Sequence, residues 1–284
     1  MASTIPTSFL TIPCELRNSI YIHVFTPTLT RTSPPITADT SPDPIAQALK
    51  PQYDHDAFKS ERSPDGQLQV LRTCRQIHNE AHLLAQSMAS FHVVGEASHP
   101  DAFREQISQL RSTKVSAIRN ITITARISKL RAMNEAWAGL PFGNPSLFLD
   151  VLTVVPKRPD AIYSAYADIA YHAQAHTLAH TFAETFKGLR NVRTVVVKNE
   201  GCFNEFFWGL VYKGVIFRLW NWGGFSCGVR FDEGETEGQE EGGQWFRVWF
   251  SDDARGGNDV GHEMHKILGE GKILPEPVVP APIF

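Results

Sequence analysis

The chain has 284 residues, of which 42% are hydrophobic and 20% charged, and its formal net charge is -3. This composition predicts a globular protein with one large or two small domains, and its mild acidity argues against general nucleic-acid or membrane-surface binding. The four cysteines form no CxxC pair, and no apolar run approaches the ~18 residues of a membrane span, so we expect reduced thiols and no membrane association.

The N-terminus is not typical of a targeting segment. No basic residue precedes Arg17, and no long apolar run is present. Secretory signals and transit peptides both need a basic region, so we expect neither. The expected location is the cytoplasm, the nucleus or both.

A short amphipathic helix is predicted in the stretch IPCELRNSIYIHVF. Thr11 is positioned to cap this helix, and Pro13 suits its first turn. Leu16, Ile20 and Val24 recur every four residues and are predicted to form one apolar face of the helix. The pattern ends before the next proline.

A second helix is predicted after a polar insertion. Residues 27–66 are rich in Pro, Ser, Thr and Asp and cannot bury a core, so we predict a disordered insertion there. Helical spacing returns from Leu68 to Ala89. Its apolar face contains Leu71, Cys74, Ile77, Ala81, Leu84 and Met88. The stretch SFHVV at 90–94 predicts a short strand.

The middle of the chain predicts alternating helices and strands. Helices are expected at 103–110 and 161–188, and strands at 116–127, 147–155 and 191–198. Two of these strands follow an Arg-Asn pair, in AIRNITIT and GLRNVRTVVV. The repetition predicts successive αβ units that contribute strands to one sheet.

The last third is rich in aromatic and β-branched residues. GVIFRLW, FSCGVRF and WFRVWF predict three strands of an antiparallel meander. The acidic stretch 232–241 is predicted to be a solvated loop. Residues 261–284 predict a short helix followed by an extended, proline-rich tail. The sequence leaves the roles of loop and tail open.

Three histidines recur every four residues within the predicted helix 161–188. His172, His176 and His180 lie on one side of that helix, and imidazoles at positions i and i+4 can chelate a transition metal. The outer two are about 12 Å apart along a straight helix and cannot share one ion. We interpret the three as a border of the core, with His172 and His176 as the candidate metal pair, and we expect no cofactor.

Other chemical motifs are incomplete. HEMH at 262–265 places its histidines at i and i+3, unlike the HExxH helix of zinc proteases. The basic stretch 111–131 is interpreted as exposed helix and strand ends, and nucleic-acid binding is not expected. The tryptophans could form a carbohydrate or peptide platform, but we favour a sheet packed on helices. GxSxG, P-loop and GxGxxG motifs are all missing, so no catalytic activity is expected.

Two stretches together resemble a known family. IPCELRNSIY in the first helix and VLRTCRQIHNEA at 70–81 resemble the split motif of fungal F-box-like proteins, LPxELRNxIY followed, after a variable loop, by LLxTCRQIxxEA. Ile12 replaces the usual Leu. With the insertion counted, the resemblance covers about a quarter of the chain. Cys74, Arg75, Gln76 and Ile77 match the more specific second half in order.

The resemblance implies a function. In F-box proteins two such helices pack together and expose apolar residues to a Skp-type adaptor of a cullin ubiquitin ligase. By resemblance, Ile12, Pro13, Leu16 and Ile20 would contact the adaptor, and the downstream αβ units, similar to degenerate leucine-rich repeats, would bind an unknown substrate protein. The motif-packing residues would be Leu71, Cys74, Ile77 and Ala81.

The expected architecture is α+β. Residues 1–94 would form the interrupted F-box-like helical motif. Residues 95–260 would form a mixed sheet with helices on one side and a C-terminal antiparallel meander, followed by the helix and tail of 261–284. The expected function is that of a non-catalytic interaction protein, and the resemblance implies an F-box-type substrate receptor of a cullin ubiquitin ligase. The alternatives are an interaction module without a ligase link, or an enzyme or metal-binding protein that uses the histidine-bearing helix.

Overall fold

The computed structural model describes ten stretches: residues 9–25, 59–60, 68–94, 100–136, 144–157, 167–189, 191–223, 230–236, 243–250 and 258–269. The α-helices are α1 Cys14–Phe25, α2 Arg75–Met88, α3 Pro100–Ser108, α4 Ser112–Val115, α5 Ile127–Ala136, α6 Ala167–Gly188, α7 Glu205–Gly223 and α8 Val260–Leu268. The strands are β1 Lys59–Ser60, β2 Ser90–Val94, β3 Asn120–Arg126, β4 Leu149–Lys157, β5 Val192–Lys198, β6 Arg230–Thr236, β7 Gly243–Trp249 and β8 Asn258–Asp259. Short 3-10 turns span Phe9–Thr11 and Leu68–Arg72.

The described strands form one mixed sheet with the order β1-β2-β3-β4-β5-β7-β6-β8. Strands β2 to β5 are parallel and follow chain order, because each is joined to the next by helical crossovers. The pairs β5–β7, β6–β7 and β6–β8 are antiparallel. The predicted mixed sheet of αβ units with an antiparallel C-terminal part is therefore confirmed.

The helix-covered face of the sheet is built from rows of apolar side chains. Ile121, Leu152, Val195, Val248 and Phe231 stand side by side on five strands, and all are buried. The next row contains Ile123, Val154, Val197 and Phe246. Side chains alternate between the two faces of a strand, so this register puts every second residue into one continuous core.

Helices α6 and α7 cover this face. The ring of Phe246 lies edge-on to Phe182 of α6, with the ring centroids 6.2 Å apart. It also contacts Trp208 and Tyr212 of α7, at centroid distances of 5.6 and 5.4 Å. Both helices therefore pack on the same side of the sheet, as the sequence predicts.

One predicted strand of the meander is wrong. GVIFRLW belongs to helix α7, in which Val211, Val215 and Leu219 recur every four residues and are buried. The β-branched and aromatic content of seven residues suggests a strand, but the period over the whole helix is helical. Consequently, Trp208, Trp220 and Trp222 lie on α7 rather than in the sheet.

The two tryptophans on β7 flank an arginine. Trp245, Arg247 and Trp249 share one face of the strand, and the Arg247 guanidinium lies 5.0 and 5.5 Å from the two ring centroids. The tryptophans are half-buried. This stacking is a cation–π arrangement internal to the chain.

Other predictions need smaller corrections. Strand β6 includes Asp232 and Glu233, so the acidic stretch is not a loop throughout, because strand pairing with β7 continues through it. Thr11 lies in a 3-10 turn rather than at the N-cap, since α1 begins at Cys14. Lys59 and Ser60, inside the predicted insertion, pair with β2. The rest of the insertion, most of FSCGVRF and the proline-rich tail lie outside the described residues.

Candidate partner-binding surface

The two helices that carry the split motif pack together in an apolar cluster separate from the main core. Tyr21 and Phe25 of α1 are buried against Ala81 and Ala85 of α2. Partly buried side chains surround them: Phe9, Val24, Leu71, Ile77, Leu84 and Met88. We call this unit, residues 9–25 and 68–89, the two-helix module.

A polar network fixes the two helices relative to each other. Arg17 donates to both carboxylate oxygens of Glu80, over 3.0 Å from Nε to Oε2 and 2.8 Å from Nη2 to Oε1. The Tyr21 hydroxyl donates to Oε2 at 3.2 Å, and Gln76 Nε2 donates to Oε1 at 2.9 Å. Bidentate guanidinium–carboxylate contacts are strong and geometrically specific.

Arg17 also ties down the segment before α1. Its Nη1 donates to the carbonyl oxygens of Leu10 at 3.1 Å and Ile12 at 2.5 Å. A buried guanidinium has five N–H donors to satisfy, and the carboxylate alone cannot take all of them. The network therefore holds the 3-10 turn, α1 and α2 in one arrangement.

The pKa directions match these contacts. The hydrogen bonds from Arg17 and Gln76 lower the pKa of the Glu80 carboxyl, and the hydrogen bond to Glu80 raises the pKa of Arg17. Burial, followed by the hydrogen bond to Glu80, raises the pKa of Tyr21. These pKa shifts favour an ionised Glu80, a protonated Arg17 and a neutral Tyr21, which are the charge states that the hydrogen bonds need. All three shifts move the pKa away from neutral pH, so the network provides no group that exchanges protons there. The cluster is suited to holding structure rather than to acid–base catalysis.

The motif residues on α2 have distinct positions. Cys74 is the N-cap, and its Sγ accepts a hydrogen bond from the backbone N–H of Ile77 at 3.4 Å. Leu71, Ile77 and Ala81 lie in the cluster beneath α1. Cys74 therefore starts the helix, whereas the other three residues fill the interface.

The face of α1 predicted to contact a partner is exposed. Leu16 is 56% exposed and Ile20 39%, and Pro13 is exposed as well. Ile12 is half-buried. Leu10, which the sequence did not single out, is also exposed. We call Leu10, Ile12, Pro13, Leu16 and Ile20 the apolar stripe.

The apolar period of the sequence does not predict which face of α1 is buried. Arg17, Tyr21 and Phe25 are its buried residues, whereas the sequence predicts one stripe that runs through Leu16 and Ile20. The error arose because hydropathy assigns an arginine to solvent, although a carboxylate partner lets it be buried. The signal present in the sequence was Tyr21 and Phe25 at a spacing of four.

The two described histidine side chains of the predicted metal motif, His176 and His180, lie on the exposed side of α6. His180 lies edge-on to Trp222 at 6.0 Å between ring centroids. The side chain of His172 lies outside the described residues. Within the described stretches, no group of three or more His, Cys, Asp or Glu side chains is placed to hold a metal ion.

The acidic residue of HEMH, Glu263, is buried in a network of hydrogen bonds. Glu263 is only 1% exposed, and it accepts hydrogen bonds from the Tyr212 hydroxyl at 2.8 Å and from Asn258 Nδ2 at 2.6 Å. Burial raises the pKa of Tyr212, and the contact with Glu263 adds to this effect. His262 and His265 are exposed. Glu263 thus joins α7, α8 and β8.

Comparisons of the chain with protein-family models, curated proteins and solved structures found no match. None of the helices in the described part of the chain is long and apolar enough to cross a membrane. The geometry of the two-helix module and the residues of the split motif are therefore the features of this chain that point to a function.

Proposed function

We propose that this protein is a non-catalytic interaction protein of the F-box-like type, and that its apolar stripe binds a Skp-type adaptor of a cullin ubiquitin ligase. The αβ region that follows would hold the substrate protein. Such a receptor works in the cytoplasm or nucleus, where the ligase is found.

The exposure of Leu16 and Ile20 is the observation that carries the proposal. The cluster with α2 uses Tyr21 and Phe25, so it leaves the apolar stripe available to a second protein. A single apolar residue on a surface is common, whereas several adjacent ones on a braced helix are typical of an interface. The Arg17–Glu80 network adds rigidity, which lowers the entropic cost of binding.

The test is direct binding of the purified full-length chain to a purified Skp-type adaptor, measured by calorimetry. We expect Leu16→Asp combined with Ile20→Asp to abolish binding, since two carboxylates would be buried without partners. Because both side chains are exposed, the thermal midpoint of the variant should stay within a few degrees of that of the native chain.

Ile22→Asp is the matched control. Ile22 is 46% exposed on the same helix, but six residues beyond Leu16 it points about 120° around the axis. Binding should survive this change. If the native chain does not bind the adaptor, the ligase proposal is wrong and the module is an interaction unit with another partner. Equal losses with Ile22→Asp and the double variant would exclude the apolar stripe as the contact surface.

A further inference from the structure

A cavity lies between the sheet and helices α5 and α6. Its volume is about 860 Å³. Its floor is formed by Ile123, Leu152, Val154 and Val195, from three adjacent parallel strands. Packed protein interiors have few voids larger than a water molecule, and small-molecule sites commonly measure about 300–1,000 Å³. The size therefore places this cavity among ligand sites rather than packing defects.

Apolar side chains from both helices contribute to the walls of the cavity, alongside polar ones such as His176 and His180. Leu130 and Met133 come from α5, and Phe182 and Phe186 come from α6. The threonines on the α6 side are satisfied by their own helix, because Thr181 and Thr185 donate to carbonyl oxygens four residues earlier, at 2.9 and 2.7 Å. The interior thus favours a hydrocarbon body over a polar one.

The rim carries charged side chains of both signs, Arg131 and Glu135 on α5 and Glu184 and Lys187 on α6, and of these Arg131 alone presents a planar fork of donors. Arg131 and Glu135 line both this cavity and an adjoining depression of about 400 Å³, which also contains Arg126. Arg131 Nε donates to Glu135 at 2.9 Å, and both side chains are about two-thirds exposed, at 67% and 65%. An exposed pair of this kind contributes little stability, so Arg131 can turn to an anion at small cost.

We infer that the cavity binds an amphipathic monocarboxylate, with its hydrocarbon chain between the sheet and α6 and its carboxylate on Arg131. The guanidinium fork matches a carboxylate in two parallel hydrogen bonds, whereas an alcohol offers only one oxygen. This site is separate from the apolar stripe and does not depend on the proposed adaptor contact.

The NMR signals of methionine methyl groups can show where the ligand binds. The chain has four methionines, at positions 1, 88, 133 and 264, and of these Met133 lines the cavity. Met88 belongs to the two-helix module, and Met264 is buried on α8. In a titration of methyl-labelled full-length protein with decanoate below its micellar concentration, we expect saturable shifts of the Met133 signal while the Met88 signal stays fixed.

Substitutions can distinguish binding of the carboxylate from binding of the hydrocarbon chain. Arg131→Gln should weaken decanoate binding about tenfold and leave 1-decanol binding unchanged, because only the charged hydrogen bonds are lost. Arg111→Gln, at an exposed arginine that is not among the cavity's lining residues, should change neither. Val154→Phe should fill the floor and block both ligands, whereas Val151→Phe, on the other face of β4, should not.

Several results would overturn the inference: no saturable decanoate binding, equal shifts at Met88 and Met133, or 1-decanol binding as tightly as decanoate. Equal binding by Arg131→Gln and the native chain would remove the carboxylate assignment. If Val154→Phe does not fold by circular dichroism, Met133→Phe provides the same blockade from the α5 wall, and unchanged binding in that variant would contradict the cavity as the site.

Discussion

At the scale of single residues, the buried Arg17 shows how two distant stretches of sequence depend on each other. Arg17 and Glu80 are 63 positions apart, yet their side chains share two hydrogen bonds. A buried charge without a partner is costly, so removing either side chain affects the other. Some residues of the split motif, which resembles a partner-recognition signature, thus hold α1 and α2 together inside the protein.

The Arg17–Glu80 ion pair predicts a dependence of stability on pH. Contact with Arg17 lowers the pKa of Glu80 from its ordinary value of 4.5, so its contribution to stability is complete above pH 4.5 and is lost as the pH falls through the lowered pKa. Glu80→Gln should reduce the thermal midpoint by a few degrees at pH 7, and the difference from the native chain should shrink as the pH falls below 4.5 and through the lowered pKa.

Glu135→Gln is the control for this measurement. Glu135 also pairs with an arginine, but both partners are mostly exposed, so its loss should change the midpoint little at neutral or acid pH. A difference between Glu80→Gln and the native chain that stays the same from pH 7 down through the acid range would contradict the role of the ionised Glu80.

At the scale of elements, the packing of α6 on α7 depends on one glycine. A Cβ atom placed on Gly214 would lie 2.9 Å from Cβ of Ala179, closer than methyl groups approach in proteins. Gly209, on the same helix, has open space at the corresponding point. The two glycines therefore separate backbone propensity from helix–helix contact.

Substitution of these glycines by alanine should have opposite effects. Gly209→Ala should raise the free energy of unfolding by about 0.5–1 kcal/mol through helix propensity alone. Gly214→Ala has the same gain in helix propensity, but it forces the two helices apart at a cost of about 1–3 kcal/mol. This variant should therefore be less stable than the native chain. Urea unfolding of both variants provides the comparison, and stabilisation by Gly214→Ala would show that the helix pair can shift without cost.

Element boundaries also show where sequence patterns are sufficient. The alternation of Ile121, Ile123 and Ala125 predicts β3, and the apolar run of 147–155 predicts β4 as a buried strand. Helix α7 was mistaken for a strand over part of its length because it is apolar on most sides, and its aromatic and β-branched residues are those that strands favour. The helical period of Val211, Val215 and Leu219 extends beyond the seven residues of GVIFRLW, so a longer window distinguishes the helix from a strand.

At the scale of the whole molecule, the described residues contain two hydrophobic clusters of unequal size. The smaller lies within the two-helix module, and the larger spans the sheet and helices α3 to α8. A small cluster buries less apolar surface and opens at a lower free energy. The two should therefore respond separately to mutations.

Hydrogen exchange of the full-length chain can test this separation. Phe25→Ala removes a buried ring from the small cluster, at a cost of about 3–5 kcal/mol. We expect faster exchange in peptides from 14–25 and 75–88, with those from 149–157 and 192–198 unchanged. Phe186→Ala, in the main core, should accelerate the strand peptides. Uniform acceleration by Phe25→Ala would mean that the chain is one cooperative unit.

The sequence by itself determined the αβ alternation, most strand positions and the two halves of the split motif, because these depend on local periodicity and residue order. Only the tertiary structure decided which face of α1 is buried. Arg17 enters the interface because Glu80 neutralises it there, and this leaves Leu16 and Ile20 exposed. The cavity beneath α5 and α6 is likewise a tertiary result, since its floor and walls come from five separate elements whose spacing no single segment specifies.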